Sequence, residues 1–283
     1  MRRITGTVEL DFRGPKVFNL EKFESIEELD RWINTTKLNV PFRYARLASK
    51  EGTYYFTKTE SYEEARELLV NGWEEKAKDL TKKLNSKPIM NDTRNKMVYD
   101  VVGFQPSVPR YLQGIPQNMF NSKKIATKKT KILNVVKLIS YVSHTPADKI
   151  EEESVKALRI VQLLEQQGFK CNLYVHCMTE SDGRVPAFEL KLKNAADRLN
   201  ISKVAFPLVH PSFLRRINFA WAERSEIITK GHVHGYGRPI NGSEEQRYIE
   251  SLKKNQGYKN TLFISSFISE SEEEYIEKNL KNI

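Results

Sequence analysis

The chain predicts an α/β protein, an open sheet with helices on both faces, preceded by an N-terminal α+β region. Three observations lead there. From about Lys131, apolar strand-like runs alternate with amphipathic helical runs, which is the pattern of an open α/β sheet. Before it, short strands and capped helices follow one another without that alternation. Between the two lies a lysine-rich stretch, so the expected organisation is an α+β region over 1–122, a basic linker over 123–130 and an α/β domain over 131–283. With 39% hydrophobic and 29% charged residues in 283, the composition is that of a folded chain. No apolar run approaches the ~20 residues that span a bilayer.

The elements follow in order. "RRITGTVELDF" suits a strand. "ESIEELDRWIN" opens with a capping box, Ser25 with Glu28, and carries Ile26, Leu29 and Ile33 at helical spacing. "YARLASKEGTYYFTK" suits a hairpin turning near Glu51 and Gly52. A second capping box, Ser61 with Glu64, opens a long helical stretch that Gly72 divides. "YDVVGFQPSVPRYLQGIPQNMF", with three prolines and two glycines, is expected to be mostly loop.

Beyond Lys131, "ILNVVKLISYV" is a strongly apolar strand. "ADKIEEESVKALRIVQLLEQQGF" is a helix, capped by Thr145 or Asp148 and ended by Gly168. "KCNLYVHCM" is a second strand. "AFELKLK" alternates strictly, with Phe188, Leu190 and Leu192 against Glu189, Lys191 and Lys193, which predicts a half-exposed edge strand. "KVAFPLVH" is expected to be a buried strand, and "PSFLRRINFAWAER" a helix with Phe213, Ile217 and Trp221 on its inner face. "SEEQRYIESLKKN" is a helix, "TLFISSF" a strand and "SEEEYIEKNL" a final helix capped by Ser271 and Glu274. A hairpin between the second and third strands makes the third antiparallel, and right-handed crossovers then favour the order 3-2-1-4-5.

That order resembles the von Willebrand factor A-like (VWA-like) Rossmannoid fold over roughly Lys131 to Ile283. The chain also resembles an uncharacterised bacteriophage protein family with a VWA-like C-terminal domain. The segments that carry this second resemblance are "SYEEARELLVNGW", "DVVGFQPSVPRYLQGIPQNM", "LLEQQGFKCNLYVH" and "KVAFPLVHPSFLRRINFAWAER". It implies a phage protein in the cytoplasm of an infected bacterial host, a virion component remaining open, and it implies no activity.

Active VWA domains hold Mg²⁺ in a D-x-S-x-S loop after the first strand. Here the matching loop is "SYVSH", with Ser140 at the Asp position, Val142 at the first Ser and His144 at the second. A shifted register brings Ser143 and Thr145 forward, but no carboxylate precedes Asp148. A hard cation takes oxygen ligands and usually a carboxylate, so the loop is expected to keep the shape of the site without its Mg²⁺ chemistry. His210 stands where such domains usually place an acid.

The histidines form a competing set. His144, His176 and His210 fall at the ends of expected strands, where open α/β sheets bind ligands. His232 and His234 follow in "KGHVHGYGRP". Imidazole suits zinc or manganese, so His144, His210, His232 and His234 are the candidate metal ligands, and otherwise no cofactor is expected. His176 and Cys177 alternate on one strand and face opposite ways. In "HPSFLRR", Ser212 at a helix N-terminus is a candidate anion contact. Cys171 and Cys177 lie on one short strand, where a disulfide is not expected.

Net charge is +10, and from Gly103 to Ala147 no Asp or Glu occurs. Arg110, Lys123, Lys124, Lys128, Lys129 and Lys131 in that run are candidate nucleic-acid contacts. "MRRITGTVELDF" lacks the apolar core of a signal peptide. Three readings follow. The first is a binding or adaptor protein with a degenerate VWA-type metal site, acting on a phage or host protein and not on a membrane. The second is a nucleic-acid-associated protein using the 103–147 segment. The third is a histidine-dependent metal hydrolase or nuclease.

Overall fold

The computed structural model describes residues 1–8, 10, 14–39, 48–85, 95–124, 131–180, 183–226, 238–240, 242–254 and 258–280. The N-terminal strands β1 (Arg2–Val8) and β2 (Lys16–Phe23) pair antiparallel. Helix α1 (Ile26–Thr35) begins where Ser25 Oγ accepts the Glu28 N–H at 3.2 Å. Two short helices, α2 (Ala48–Glu51) and α3 (Tyr54–Thr57), stand where a hairpin was expected. Their carbonyls are engaged by arginine side chains described below, so this segment needs no strand partner.

Helix α4 (Tyr62–Asn71) starts on Ser61, whose Oγ accepts the Glu64 N–H at 3.0 Å. Helix α5 (Glu74–Asn85) follows after Gly72. Gly72 has φ +91, and a Cβ there would lie 2.4 Å from Ser202 Oγ, so the break admits glycine alone without rearrangement. The stretch expected to be mostly loop folds instead into a small sheet, β3 (Asn95–Asp100), β4 (Gln105–Pro106) and β5 (Met119–Lys124), with helix α6 (Val108–Leu112) between the last two.

Strand β6 (Ile132–Ile139), helix α7 (Ala147–Gln166), and strands β7 (Lys170–Glu180) and β8 (Arg184–Lys193) follow. The β6 and β7 strands are parallel, and β7 and β8 antiparallel. The expected fourth strand is helix α8 (Ile201–Val209), capped by Asn200 Oδ1, which accepts the Lys203 N–H at 3.2 Å. An unbroken apolar run fits a fully buried helix as well as a buried strand, and this one is buried along most of its length. A π-helical turn (Phe213–Asn218) leads into α9 (Phe219–Ala222). Strand β9 (Arg238–Pro239), helix α10 (Gly242–Lys253), strand β10 (Thr261–Ile264) and helix α11 (Glu272–Leu280) complete the described chain.

The large sheet runs β1-β2-β8-β7-β6-β10, with β9 paired to the end of β7. Strand β10 lies parallel beside β6, in the place expected for the missing fourth strand. The strand carrying "AFELKLK" is not an edge, because β2 pairs with it in parallel from Val17 to Phe23. Its polar face is answered by partners. Lys193 Nζ donates to Glu165 at 2.7 Å and to the Cys171 carbonyl at 3.0 Å, and Lys191 Nζ donates to Glu24 at 2.6 Å. The sheet therefore takes strands from both sides of the 123–130 segment. Among the described residues no helix is long and apolar enough to cross a membrane.

Alternation sorts each central strand between two cores. Leu133, Val135, Leu173, Val175, Cys177, Phe188 and Leu190 face α1, α4, α5, α7, α8 and the π-turn. Val136, Leu138, Ala187 and Leu20 face Tyr248, Ile249 and Leu252 of α10. Both cysteines are free and buried, as their placement on one strand predicts.

Phe188, fully buried, meets the rings of Phe23, Phe213 and Trp221 at 6.2, 6.0 and 5.2 Å. Phe188→Ala is expected to lower unfolding free energy by about 3–5 kcal/mol, measured by urea denaturation.

Candidate functional site

The crevice at the carboxyl ends of β6 and β10 is where an open α/β sheet would take a ligand. Here it is filled by the chain's own polar groups. Ser140 is buried; its Oγ donates to the Met178 carbonyl at 3.2 Å and accepts the Ile240 N–H at 2.8 Å. Its N–H donates to Ser266 Oγ at 3.1 Å. Next to it, fully buried Lys137 donates to the Ser265 and Ser266 carbonyls at 2.5 and 3.0 Å. Burial draws its ammonium down to about 8, against the raising charges of Glu245 and Glu153. Burial in turn pushes Glu245 up, although it accepts the Ser266 N–H at 2.6 Å. Ser140, placed at the metal-loop aspartate position, is thus a structural bridge.

Beyond buried Tyr141 the rest of the loop is open to solvent or half-buried. Ser143 and His144 are exposed and Thr145 is half-buried. The Ser143 carbonyl accepts Arg215 Nη2 at 2.7 Å. His210, which ends α8, has its Nδ1 accepting the Ser212 N–H at 3.0 Å, and its ring packs 5.0 Å from Trp73 and 5.2 Å from Phe206. Burial lowers its pKa to about 4. Among the described residues no three His, Cys, Asp or Glu side chains gather as a metal site. His232 and His234 lie outside the described residues.

Ser212 and its neighbouring arginines hold a segment rather than an anion. Arg216 Nε donates to Thr59 Oγ1 at 2.7 Å, and Thr59 and Ser212 hydroxyls meet at 2.6 Å. Ser212 Oγ donates to the Thr57 carbonyl at 2.6 Å. The guanidinium also donates to the carbonyls of Ser49, Lys50, Gly52 and Thr59 at 2.8–3.1 Å. Arg215 reaches the Phe56 carbonyl at 2.5 Å and lies 4.6 Å over its ring. The π-turn brings both arginines to the 48–59 segment, and burial lowers both pKa values while the groups stay charged.

On the other face, His176 joins a cluster that residue types alone did not reveal. Its Nδ1 lies 3.2 Å from Glu189 Oε2, and its Nε2 lies 3.0 Å from Tyr248 OH. Tyr258 OH donates to Glu189 at 2.9 Å, and Lys22 Nζ lies 2.6 Å from it. Burial works to raise Glu189, but the His176 hydrogen bond and the Lys22 charge hold it below its usual range. The signal was present in the alternation of β8, which puts Glu189 on the face opposite Phe188. His176, Glu189, Tyr248 and Tyr258 are buried, half-buried Lys22 lies at the edge, and the cluster does not meet Cys177.

The open surface lies elsewhere, on the small β3-β5-β4 sheet. Val101, Val102, Phe104, Val108, Tyr111 and Leu112 are 60–78% exposed. Gly103 makes the module's tight tip, because a Cβ there would lie 2.0 Å from the Phe120 carbonyl oxygen that accepts the Phe104 N–H at 2.9 Å. Arg110 stacks 4.0 Å over Tyr99 and donates to the Gln117 carbonyl at 3.1 Å. Tyr99 in turn stacks 4.9 Å from Phe120. Lys123 and Lys124 pair through their backbones with Lys96 and Asn95 at the end of β5. Lys131 is exposed ahead of β6, while Lys128 and Lys129 lie outside the described residues.

Residues 13–277 match the family model of a domain of unknown function, DUF7192, and the chain belongs to that family. No curated protein and no solved structure matches at a significant level.

Two outcomes are expected. Arg216→Met orphans several buried carbonyls and should destabilise the fold by about 3 kcal/mol, with Arg216→Lys costing less, both read by urea unfolding. His210 has an ordinary pKa of 6.5 and takes a proton only near 4 when folded, so between those values the unfolded chain binds more protons. Its contribution is complete above that ordinary value and is lost as pH falls. From pH 7 to 4.5 the protein should lose about 2 kcal/mol that His210→Gln does not lose, measured by urea titrations at both pH values.

Proposed function

We propose that this DUF7192 chain is a binding or adaptor protein whose contact face is the 95–124 module. The observation that carries the reading is the exposure of six large apolar side chains on one short, hydrogen-bonded module. Single exposed apolar residues are ordinary, but a gathering of this kind marks an interaction site. The module has backbone order of its own, so the face is pre-shaped, which lowers the entropic cost of binding.

The finer parts of the reading rest on resemblance. We place the α/β half with VWA-like domains whose metal loop is degenerate. The engagement of Ser140 with Met178 and Ile240 supports that degeneracy. We place the protein in the cytoplasm of a phage-infected bacterium, with a phage or host protein as partner, on the likeness of its segments to the phage family.

Site-specific photo-crosslinking in infected cells tests the reading. A benzophenone side chain at Tyr111 should give a discrete adduct that Val102→Asp abolishes, while the same probe at Tyr55, 86% exposed on α3, should not. Equal adducts from both positions, or none from Tyr111, would overturn it.

A further inference from the structure

The module's chemistry specifies its partner more closely. This step rests on the reading that 95–124 is a binding face. We infer that the face takes an acidic, apolar-bearing segment of a protein, in which leucine- or phenylalanine-like side chains alternate or cluster with carboxylates.

Two features set this choice. The apolar contribution is mainly aliphatic: Val101, Val102, Val108 and Leu112 stand beside only two well-exposed aromatic rings, Phe104 and Tyr111. Such side chains gain most from matching apolar side chains. The charge around them is mainly positive: Lys96, Arg110, Lys123 and Lys124 lie on the module's elements against one carboxylate, Asp100. Seven Lys or Arg and no acid occur between Gly103 and Ala147, and among the described residues Lys137 lies in the core while Lys131 is exposed. Arg110 is held in place by the Tyr99 ring and the Gln117 carbonyl, within the same short helix α6 as the exposed Val108, Tyr111 and Leu112. A cation fixed beside an apolar patch favours a carboxylate beside an apolar side chain.

The other polyanions fit less well. Single-stranded nucleic acid binds by stacking on rows of open aromatic faces, whereas here aliphatic side chains outnumber the two open rings, Phe104 and Tyr111, and Tyr99 is capped by Arg110 and stacked against Phe120. Asp100 also stands in the patch, its Oδ1 accepting the Val101 N–H at 2.8 Å. A phosphate backbone or an anionic lipid surface lays negative charge across the whole patch, Asp100 included, whereas a peptide can place its carboxylate at Arg110 alone. A second copy of the chain would bring its own net charge of +10 to the contact.

The test is selection of short random peptides displayed on filamentous phage against the full-length protein. It is paired with direct binding of phosphatidylserine-containing vesicles and of oligothymidylate. The expected result is enrichment of peptides that combine Asp or Glu with Leu, Ile or Phe. Their affinity should fall about tenfold with Leu112→Asp, and should also fall on raising salt from about 0.05 to 0.5 M. Leu112 is 78% exposed, so the variant should keep the wild-type melting temperature. The salt series on the unaltered protein serves if it does not. Enrichment of apolar peptides without acids, insensitive to salt, would overturn the acidic partner and leave the binding face. Vesicle or oligothymidylate binding without peptide enrichment would overturn it in favour of lipid or nucleic acid. Binding of none of the probes would remove the proposed function together with the inference.

Discussion

The sheet depends on one buried carboxylate. Glu189 sits at the centre of β8 with 1% exposure, and an unpaired carboxylate in that position would be prohibitively costly. Its partners come from three other places in the chain: Lys22 on β2, His176 on β7 and Tyr258 before β10. Satisfying it requires β2 to lie beside β8 and the 258 region to cover that face. The N-terminal strands are thereby bound into the same sheet as the C-terminal half. A second buried carboxylate, Glu21 on β2, repeats the logic at the neighbouring strand, accepting Trp221 Nε1 at 2.7 Å and Arg3 Nε at 2.9 Å.

A similar requirement governs the opposite layer. Arg216 is fully buried and faces carbonyls rather than a carboxylate. Its planar fork supplies donors to a segment, 48–59, that lacks a long helix or strand to satisfy its own backbone. The π-turn aims two consecutive arginines at that segment, and Ser212 and Thr59 extend the hydrogen bonding between them. The consequence for function is that the polar groups near the expected ligand crevice are already committed to holding the fold. In the proposed function, chemistry directed at an outside partner falls to the β3-β5-β4 module, with its exposed apolar side chains and fixed arginine.

Local features were legible wherever a local interaction decides them. Ser25 and Ser61 cap their helices because a side chain reaches an N–H three residues on, and Gly72 ends α4 because of its own backbone freedom. The facing of His176 and Cys177 to opposite sides followed from strand alternation alone. The segment 201–209 was not legible in this way, because an apolar run without a polar phase has no periodicity to separate a buried helix from a buried strand. The module at 95–124 was hidden by its prolines and glycines, which mark turns without revealing that short strands lie between them. Its pairing rests on Gly103 allowing close approach to Phe120, a contact between residues seventeen positions apart.

By itself the sequence determined the periodic elements, the caps at Ser25, Ser61 and Ser271, the alternation of the central strands, and an acid-free basic run beside a proline-rich stretch, but not the start of α7, where Pro146 stands at the N-cap in place of Thr145 or Asp148. These depend on neighbours within a turn of helix or a pleat of strand. Only the tertiary structure decided which polar side chains face inward partners and which apolar ones face water. Ser140 and Ser212 look like candidates for a site until residues far along the chain are brought against them. Val102 and Leu112, in a stretch that reads as loop, stand exposed on a hydrogen-bonded module. Burial is a property of the packed whole, so the division between structural and available chemistry is made there.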